Sequence, residues 1–139
     1  MRSMFGPNGQ QVLALIASIA GLSAEQVDQV TSAWRRHSAQ DRNRAWAHLC
    51  RTTGEDERYE ILAAASLARR EALDAARRVN RSDWAFWAAA CDAGAAVAAG
   101  ARIDRHYAAL VAPFAEVVPA LARRYETTQA KPGVRAQSA

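Results

Sequence analysis

The stretch from Asp83 to Ala101 constrains the fold more than any other part of this sequence. Three aromatic residues lie near its start, and fourteen residues follow in which Asp92 carries the only charge. A helix without a polar face normally lies in the centre of a bundle, where other helices surround it. A membrane-spanning helix is the alternative, but this stretch is short, rich in alanine and charged near its middle. We therefore expect a buried central helix over about 83–101 and no membrane span.

The composition favours an all-α protein. Of 139 residues, 34 are alanine, whereas only seven are glycine and four are proline. Alanine has the best intrinsic helix propensity, and glycine and proline are the residues that interrupt helices. A chain of this length can bury one sizeable core. We predict a single-domain compact helical bundle of about six or seven helices over 1–126, followed by a disordered polar tail over 127–139.

Local signals place several helix ends. The apolar run over 9–20 predicts a first helix, and Ser23 with Gln26 forms a capping-box pattern that predicts the start of a second. Asp83 is placed to cap the central helix. Pro113 fits the first turn of a separate seventh helix, because proline is tolerated there.

The two cysteines predict a reducing compartment. Cys50 and Cys91 lie on different predicted helices without metal-ligand spacing, so we expect small buried side chains and no disulfide. The N-terminus is a poor match to a secretion signal, because several polar residues separate Arg2 from the apolar run. We therefore expect a cytoplasmic protein.

Positive charge is concentrated in one segment. Residues 34–54 carry five arginines against Asp41, and their net charge of +4 equals the surplus of the whole chain. Such a segment could follow a phosphate backbone with little sequence specificity, although an ordinary solvated helix face is the alternative. The candidate nucleic-acid-binding residues are Arg35, Arg36, Arg42, Arg44, His48 and Arg51.

A second candidate site is a small-ligand pocket at one end of the bundle. Indole rings supply apolar area and a donor, and a carboxylate or imidazole could orient a polar ligand. The candidate residues are Trp84, Trp87, Asp92, His106 and Tyr107. A buried Asp92 would need a partner, for which Arg69 and Arg102 are the candidates.

Motifs of catalysis and metal binding are missing from the sequence. It contains no nucleophile elbow, phosphate-binding glycine loop, dinucleotide fingerprint or zinc pattern, and its three histidines are not spaced as metal ligands. These absences favour a protein without enzyme activity, although an enzyme at the aromatic pocket stays an alternative, and we expect no cofactor and no metal site.

Uncharged helical surface gives the leading functional prediction. The helix over 9–20 and the central helix both lack a polar face, and a domain of this size cannot readily bury both completely. We predict a non-enzymatic protein-protein interaction module that binds a protein partner or a copy of itself. Nucleic-acid binding by the arginine segment and ligand binding in the aromatic pocket remain the alternatives.

Overall fold

The computed structural model describes residues 5–52, 58–79, 83–100 and 105–118. Within these ranges the chain forms one turn of 3-10 helix, Gly6–Asn8, and six α-helices, and it contains no strand. The helices are α1 Gly9–Ala20, α2 Ala24–Arg36, α3 Ala39–Thr52, α4 Arg58–Val79, α5 Trp84–Ala98 and α6 Arg105–Val117. The predicted all-α class is confirmed. The predicted tail over 127–139 lies outside the described residues.

The predicted position of α5 at the centre of the bundle is confirmed. Helices α1, α2, α4 and α6 all pack against α5, and every residue from Ala93 to Ala98 is buried. Phe86 of α5 packs against Phe114 of α6 with ring centroids 5.7 Å apart, and both rings are almost completely buried, as is Tyr107 of α6. None of the described helices is long and apolar enough to cross a membrane.

Small residues let α4 and α5 approach closely. The α4 face toward α5 includes Ala68 and Ala72, both completely buried. A Cβ atom added to Gly94 would lie 3.1 Å from the carbonyl oxygen of Ala68 and 3.2 Å from the Cβ of Ala72. The two backbones are therefore so close that a side chain at position 94 would meet the backbone and a side chain of α4 in tight contact.

Two predicted caps are confirmed. The Ser23 hydroxyl accepts a hydrogen bond from the Gln26 amide at 3.2 Å, and the Gln26 side chain accepts one from the Ser23 amide at 2.9 Å. At the start of α5, the Asp83 carboxylate accepts from the amides of Ala85 at 2.9 Å and Phe86 at 3.4 Å. These bonds satisfy amides that lack partners within the helix.

The predicted break at Pro113 is wrong. Helix α6 continues through this residue, although proline removes an amide hydrogen and crowds the preceding turn. Pro113 and Phe114 are buried, together with Leu110 and Val111 from the preceding turn. Burial of both halves of α6 against the core offsets the local cost of the proline and keeps the helix continuous.

Candidate functional site

Asp92 lies at the centre of a buried polar cluster. This carboxylate is only 9% exposed and accepts two indole hydrogen bonds, one at each oxygen. Trp46 of α3 donates to Oδ1 at 2.8 Å, and Trp34 of α2 donates to Oδ2 at 3.2 Å. We call Trp34, Trp46 and Asp92 the indole–carboxylate cluster. This cluster connects α2 and α3 to the central helix. The spacing of Trp34 and Trp46 among apolar residues gave no sign of this role.

Two arginines lie over the rings of these indoles. The Cζ atom of Arg42 lies 4.0 Å from the centroid of Trp34, and that of Arg69 lies 5.4 Å from the centroid of Trp46. Arg69 thus acts on Asp92 only through its charge and through Trp46, and Arg102 lies outside the described residues.

Burial has the largest effect on the pKa of Asp92. Removal from water raises the pKa of its carboxyl group above the usual range, while the hydrogen bonds from Trp46 and Trp34 and the charges of Arg42 and Arg69 oppose this shift. Both oxygens of Asp92 are occupied by protein donors, so the carboxylate serves the packing of the bundle.

The arginines of the predicted nucleic-acid set divide into different environments. Arg35 contacts Asp83 at 3.4 Å, and Arg36 contacts Glu116 of α6 at 2.9 Å. The imidazole of His37 lies 2.7 Å from the other oxygen of Glu116. The hydrogen bond from Arg36, helped by that of His37, lowers the pKa of Glu116 below its usual range. These contacts hold the end of α2 against α5 and α6.

Arg42 does not lie on the exposed surface of α3, because its side chain folds inward. Its Nη1 donates to the carbonyl oxygens of Trp34 at 2.9 Å and His37 at 2.7 Å, and the residue is 9% exposed. Carbonyl groups at a helix C-terminus lack partners within the helix, and a guanidinium satisfies them well. Arg44 and Arg51 are the members of the set on α3 that remain exposed.

A basic groove lies between the α2–α3 turn and α6. Its volume is about 360 Å³, and it is lined by arginines from two helices, Arg44 of α3 and Arg105 of α6. Asp41 lies 4.0 Å from Arg44, within reach of a weak ion pair. The full lining is His37, Ser38, Asp41, Arg42, Arg44, Arg105, His106, Ala108, Ala109 and Ala112.

Two histidines join α3 and α6 at this groove. The rings of His48 and His106 are stacked, with centroids 4.2 Å apart and planes inclined by 18°. His48, which belongs to the predicted nucleic-acid set, therefore packs against α6. Arg105 was missed by sequence reasoning, because it is 61 positions from Arg44 and only the packing of α3 on α6 brings the two to one groove.

The residues of the predicted ligand pocket do not converge. Trp84 is 67% exposed and packs edge-on against Trp34, with ring centroids 5.2 Å apart. Trp87 lies under the guanidinium of Arg77 at 5.6 Å, His106 lines the basic groove, and Tyr107 is buried in the core. The five residues contribute to different parts of the bundle, and the ligand pocket stays a prediction.

A second groove has the opposite charge. Its volume is about 450 Å³, and it lies between α2 and the end of α6. The acidic lining residues are Glu25, Asp28 and Glu116, accompanied by Arg36. The surface around α2 and α6 therefore has a basic groove and an acidic one, which gives an anionic ligand a clear preference between them.

The cysteines and the acidic residues give no sign of a metal site. In the parts of the chain that the structure describes, no three His, Cys, Asp or Glu side chains come together as metal ligands. Cys50 is exposed rather than buried as predicted, whereas Cys91 is half-buried. Burial raises the pKa of the Cys91 thiol, which favours the unreactive protonated form.

Comparison with protein-family models, with curated proteins and with solved structures gave no match to this chain. The functional argument therefore depends on the chemistry of the described residues.

Proposed function

We propose that this protein is a non-enzymatic nucleic-acid-binding protein that holds a phosphate backbone in the basic groove. The observation that carries the proposal is the pairing of Arg44 and Arg105 along one groove, each contributed by a different helix. The predicted set comes from α2 and α3, and the groove adds Arg105 of α6 to it.

The charge of the groove suits an anion. Among its lining residues, Arg42, Arg44 and Arg105 face a single acid, Asp41. Arg42 is already bound to backbone carbonyls, so Arg44 and Arg105 supply the accessible guanidinium groups. A guanidinium matches the geometry of a phosphate with two parallel hydrogen bonds, and contact with several phosphates releases counterions.

The rest of the lining predicts little sequence specificity. Ser38 and three alanines form much of the remaining wall, and the lining includes no Asn or Gln side chain. Amide side chains are the usual readers of adenine edges, so the groove is suited to contact the backbone rather than the base sequence.

Fluorescence anisotropy with a labelled oligonucleotide tests the proposal. The affinity of the wild-type protein should fall as salt increases, and the double variant Arg44→Gln, Arg105→Gln should bind about tenfold more weakly with a shallower salt dependence. The double variant Arg70→Gln, Arg78→Gln is the matched control, because it removes two charges from the exposed surface of α4. Equal binding by the wild type and the Arg44→Gln, Arg105→Gln variant would contradict the proposal.

Self-association is a second candidate function, supported by the outer face of α1. Leu13 is 49% exposed, and the neighbouring exposed residues of this helix, Gln10, Ala17 and Ala20, carry no charge. Helix α5 does not offer a surface for self-association, because most of its residues are buried within the bundle. The uncharged strip on α1 is the surface that a second copy would cover.

Light scattering during size-exclusion chromatography tests this second candidate. A species heavier than the 15.1 kDa chain should become monomeric in the Leu13→Glu variant, because the introduced charge would be buried in the interface. The Ala108→Glu variant introduces the same charge at an exposed position of α6 and should leave the mass unchanged. A monomeric wild-type protein would exclude self-association through α1.

A further inference from the structure

We propose that Trp84 is a stacking platform for an unpaired base, so that the nucleic acid held at the basic groove is single-stranded. This inference rests on the proposed function and adds the class of nucleic acid that the site accepts. It is carried by the exposure of Trp84, by the contacts that fix its ring and by the two arginines near it.

Trp84 exposes an unusually large aromatic surface to solvent. It is 67% exposed, whereas Trp34, Trp46 and Trp87 are all half-buried. Tryptophan offers the largest apolar side chain available for contact with a ligand, and a fully packed fold gains little from it in this position. The exposed indole is therefore available for contact with a ligand.

The ring of Trp84 is held in place by the fold. Its centroid lies 5.2 Å from that of Trp34, with the two planes inclined by 87°. Trp84 also begins α5 directly after Asp83, whose carboxylate caps the helix. Trp34 is in turn fixed by its hydrogen bond to Asp92. A ring supported in this way loses little conformational freedom when a base stacks on it.

Two arginines lie near this platform. Arg42, which lines the basic groove, lies 4.0 Å from the centroid of Trp34, so the ring of Trp84 is within about 9 Å of the Arg42 guanidinium. Arg35 is 62% exposed and contacts Asp83, the residue next to Trp84. Alternation of aromatic and basic side chains is typical of surfaces that bind single strands.

The chemistry distinguishes a single strand from a duplex. Bases in a duplex stack on one another and cannot place a face on a protein ring, whereas every base of a single strand has an accessible face. The arginines of the groove contact either form through phosphate, so Trp84 is the element that favours the single strand.

The test measures binding of a labelled single-stranded oligothymidine of about 12 nucleotides, which is within the usual site sizes. The proteins are the full chain, Trp84→Ala, Trp84→Phe and the Arg44→Gln, Arg105→Gln double variant. A strand of the same length without bases and a duplex of the same length are the comparison ligands. Circular dichroism checks that each variant has the helix content of the wild type.

Three results support the inference when they occur together. Trp84→Ala weakens binding of oligothymidine about tenfold with an unchanged salt slope, Trp84→Phe recovers most of the affinity, and the strand without bases binds equally to the wild type and Trp84→Ala. Tryptophan fluorescence also falls when oligothymidine binds to the wild type and changes much less in Trp84→Phe.

Other results overturn it in distinguishable ways. If Trp84→Ala binds oligothymidine like the wild type while the arginine variant does not, the stacking role is wrong and the proposed function stands. Tighter binding of the duplex than of the single strand at equal salt leads to the same conclusion. If the wild type binds none of the three ligands, the proposed function and the inference fail together.

Discussion

Trp46 donates its indole hydrogen to Oδ1 of Asp92 at 2.8 Å, and this bond fastens α3 to the central helix. Elsewhere α3 packs mainly on α6. The carboxylate is buried, and it receives its second donor from Trp34. Buried ionised groups are tolerated only when they are paired or hydrogen-bonded, so the indole–carboxylate cluster determines how α2, α3 and α5 fit together.

Replacement of Trp46 by phenylalanine should destabilise the protein. The substitution keeps an aromatic ring but removes one donor from a buried carboxylate, and hydrogen bonds to charged groups contribute about 1.5–3 kcal/mol. We expect the free energy of unfolding, measured in urea, to fall by about 2 kcal/mol. Trp84→Phe is the control, since Trp84 is mostly exposed, and it should change stability by less than about 0.5 kcal/mol. Equal effects of the two substitutions would contradict the role given to Trp46.

Asp92 should give the protein a stability component that decreases as pH rises. Its pKa is raised in the folded state by burial, so the folded state holds the proton more tightly than the unfolded state. The contribution is fully present below about pH 4, the ordinary value for aspartate, and is lost as pH rises through the folded pKa.

The measurement is the free energy of unfolding of the wild type and Asp92→Asn at several pH values from about 4 to 7. The raised pKa of the neighbouring Cys91 keeps its thiol protonated throughout this range. The stability of the wild type relative to Asp92→Asn should decrease as pH rises. A difference that increases with pH would show that the two indoles stabilise the carboxylate more than burial opposes it.

Glu116 should give the protein a stability component that decreases as pH falls, opposite to that of Asp92. The hydrogen bonds from Arg36 and His37 lower its folded pKa, so its stabilising effect is present above about pH 4.3 and is lost as pH falls through the folded pKa. The advantage of the wild type over Glu116→Gln should therefore shrink in acid. We expect an effect below about 1 kcal/mol at neutral pH, because the Glu116 side chain is 39% exposed. Asp74→Asn, which removes the acid of an exposed pair at 3.8 Å, is the comparison variant.

The sequence was sufficient to predict features that depend on neighbours along the chain. The capping box at Ser23 and the cap at Asp83 each involve residues two or three positions apart, and both are present. The central place of α5 followed from its lack of a polar face, because a helix that is apolar on all sides is normally buried among other helices.

The contacts of Asp92 and Arg42 could not be predicted in the same way. Asp92 is bound by indoles 58 and 46 positions away, and neither distance leaves a local pattern. Nothing along the chain distinguishes Arg42 from an exposed arginine such as Arg44. Its guanidinium is buried because it binds carbonyl groups at the C-terminal end of α2. Pro113 was misplaced because burial of both halves of α6 outweighs a strong local preference.

Gly94→Ala tests how closely α4 and α5 pack. Alanine is favoured over glycine in a helix by about 1 kcal/mol, so local propensity alone predicts stabilisation. The added Cβ, however, would lie 3.1 Å from a backbone oxygen of α4, and relief of that contact requires the helices to separate along an interface of completely buried alanines. Overpacking of this kind costs about 1–3 kcal/mol, and we expect a net destabilisation of about 1 kcal/mol in urea unfolding.

Gly21→Ala is the matched control, because its Cβ would meet only carbonyl oxygens of α1 at 3.4 Å or more and its φ of −92° suits alanine. If Gly94→Ala were as stable as Gly21→Ala, the α4–α5 interface would have room for a methyl group, and close approach would not explain the glycine.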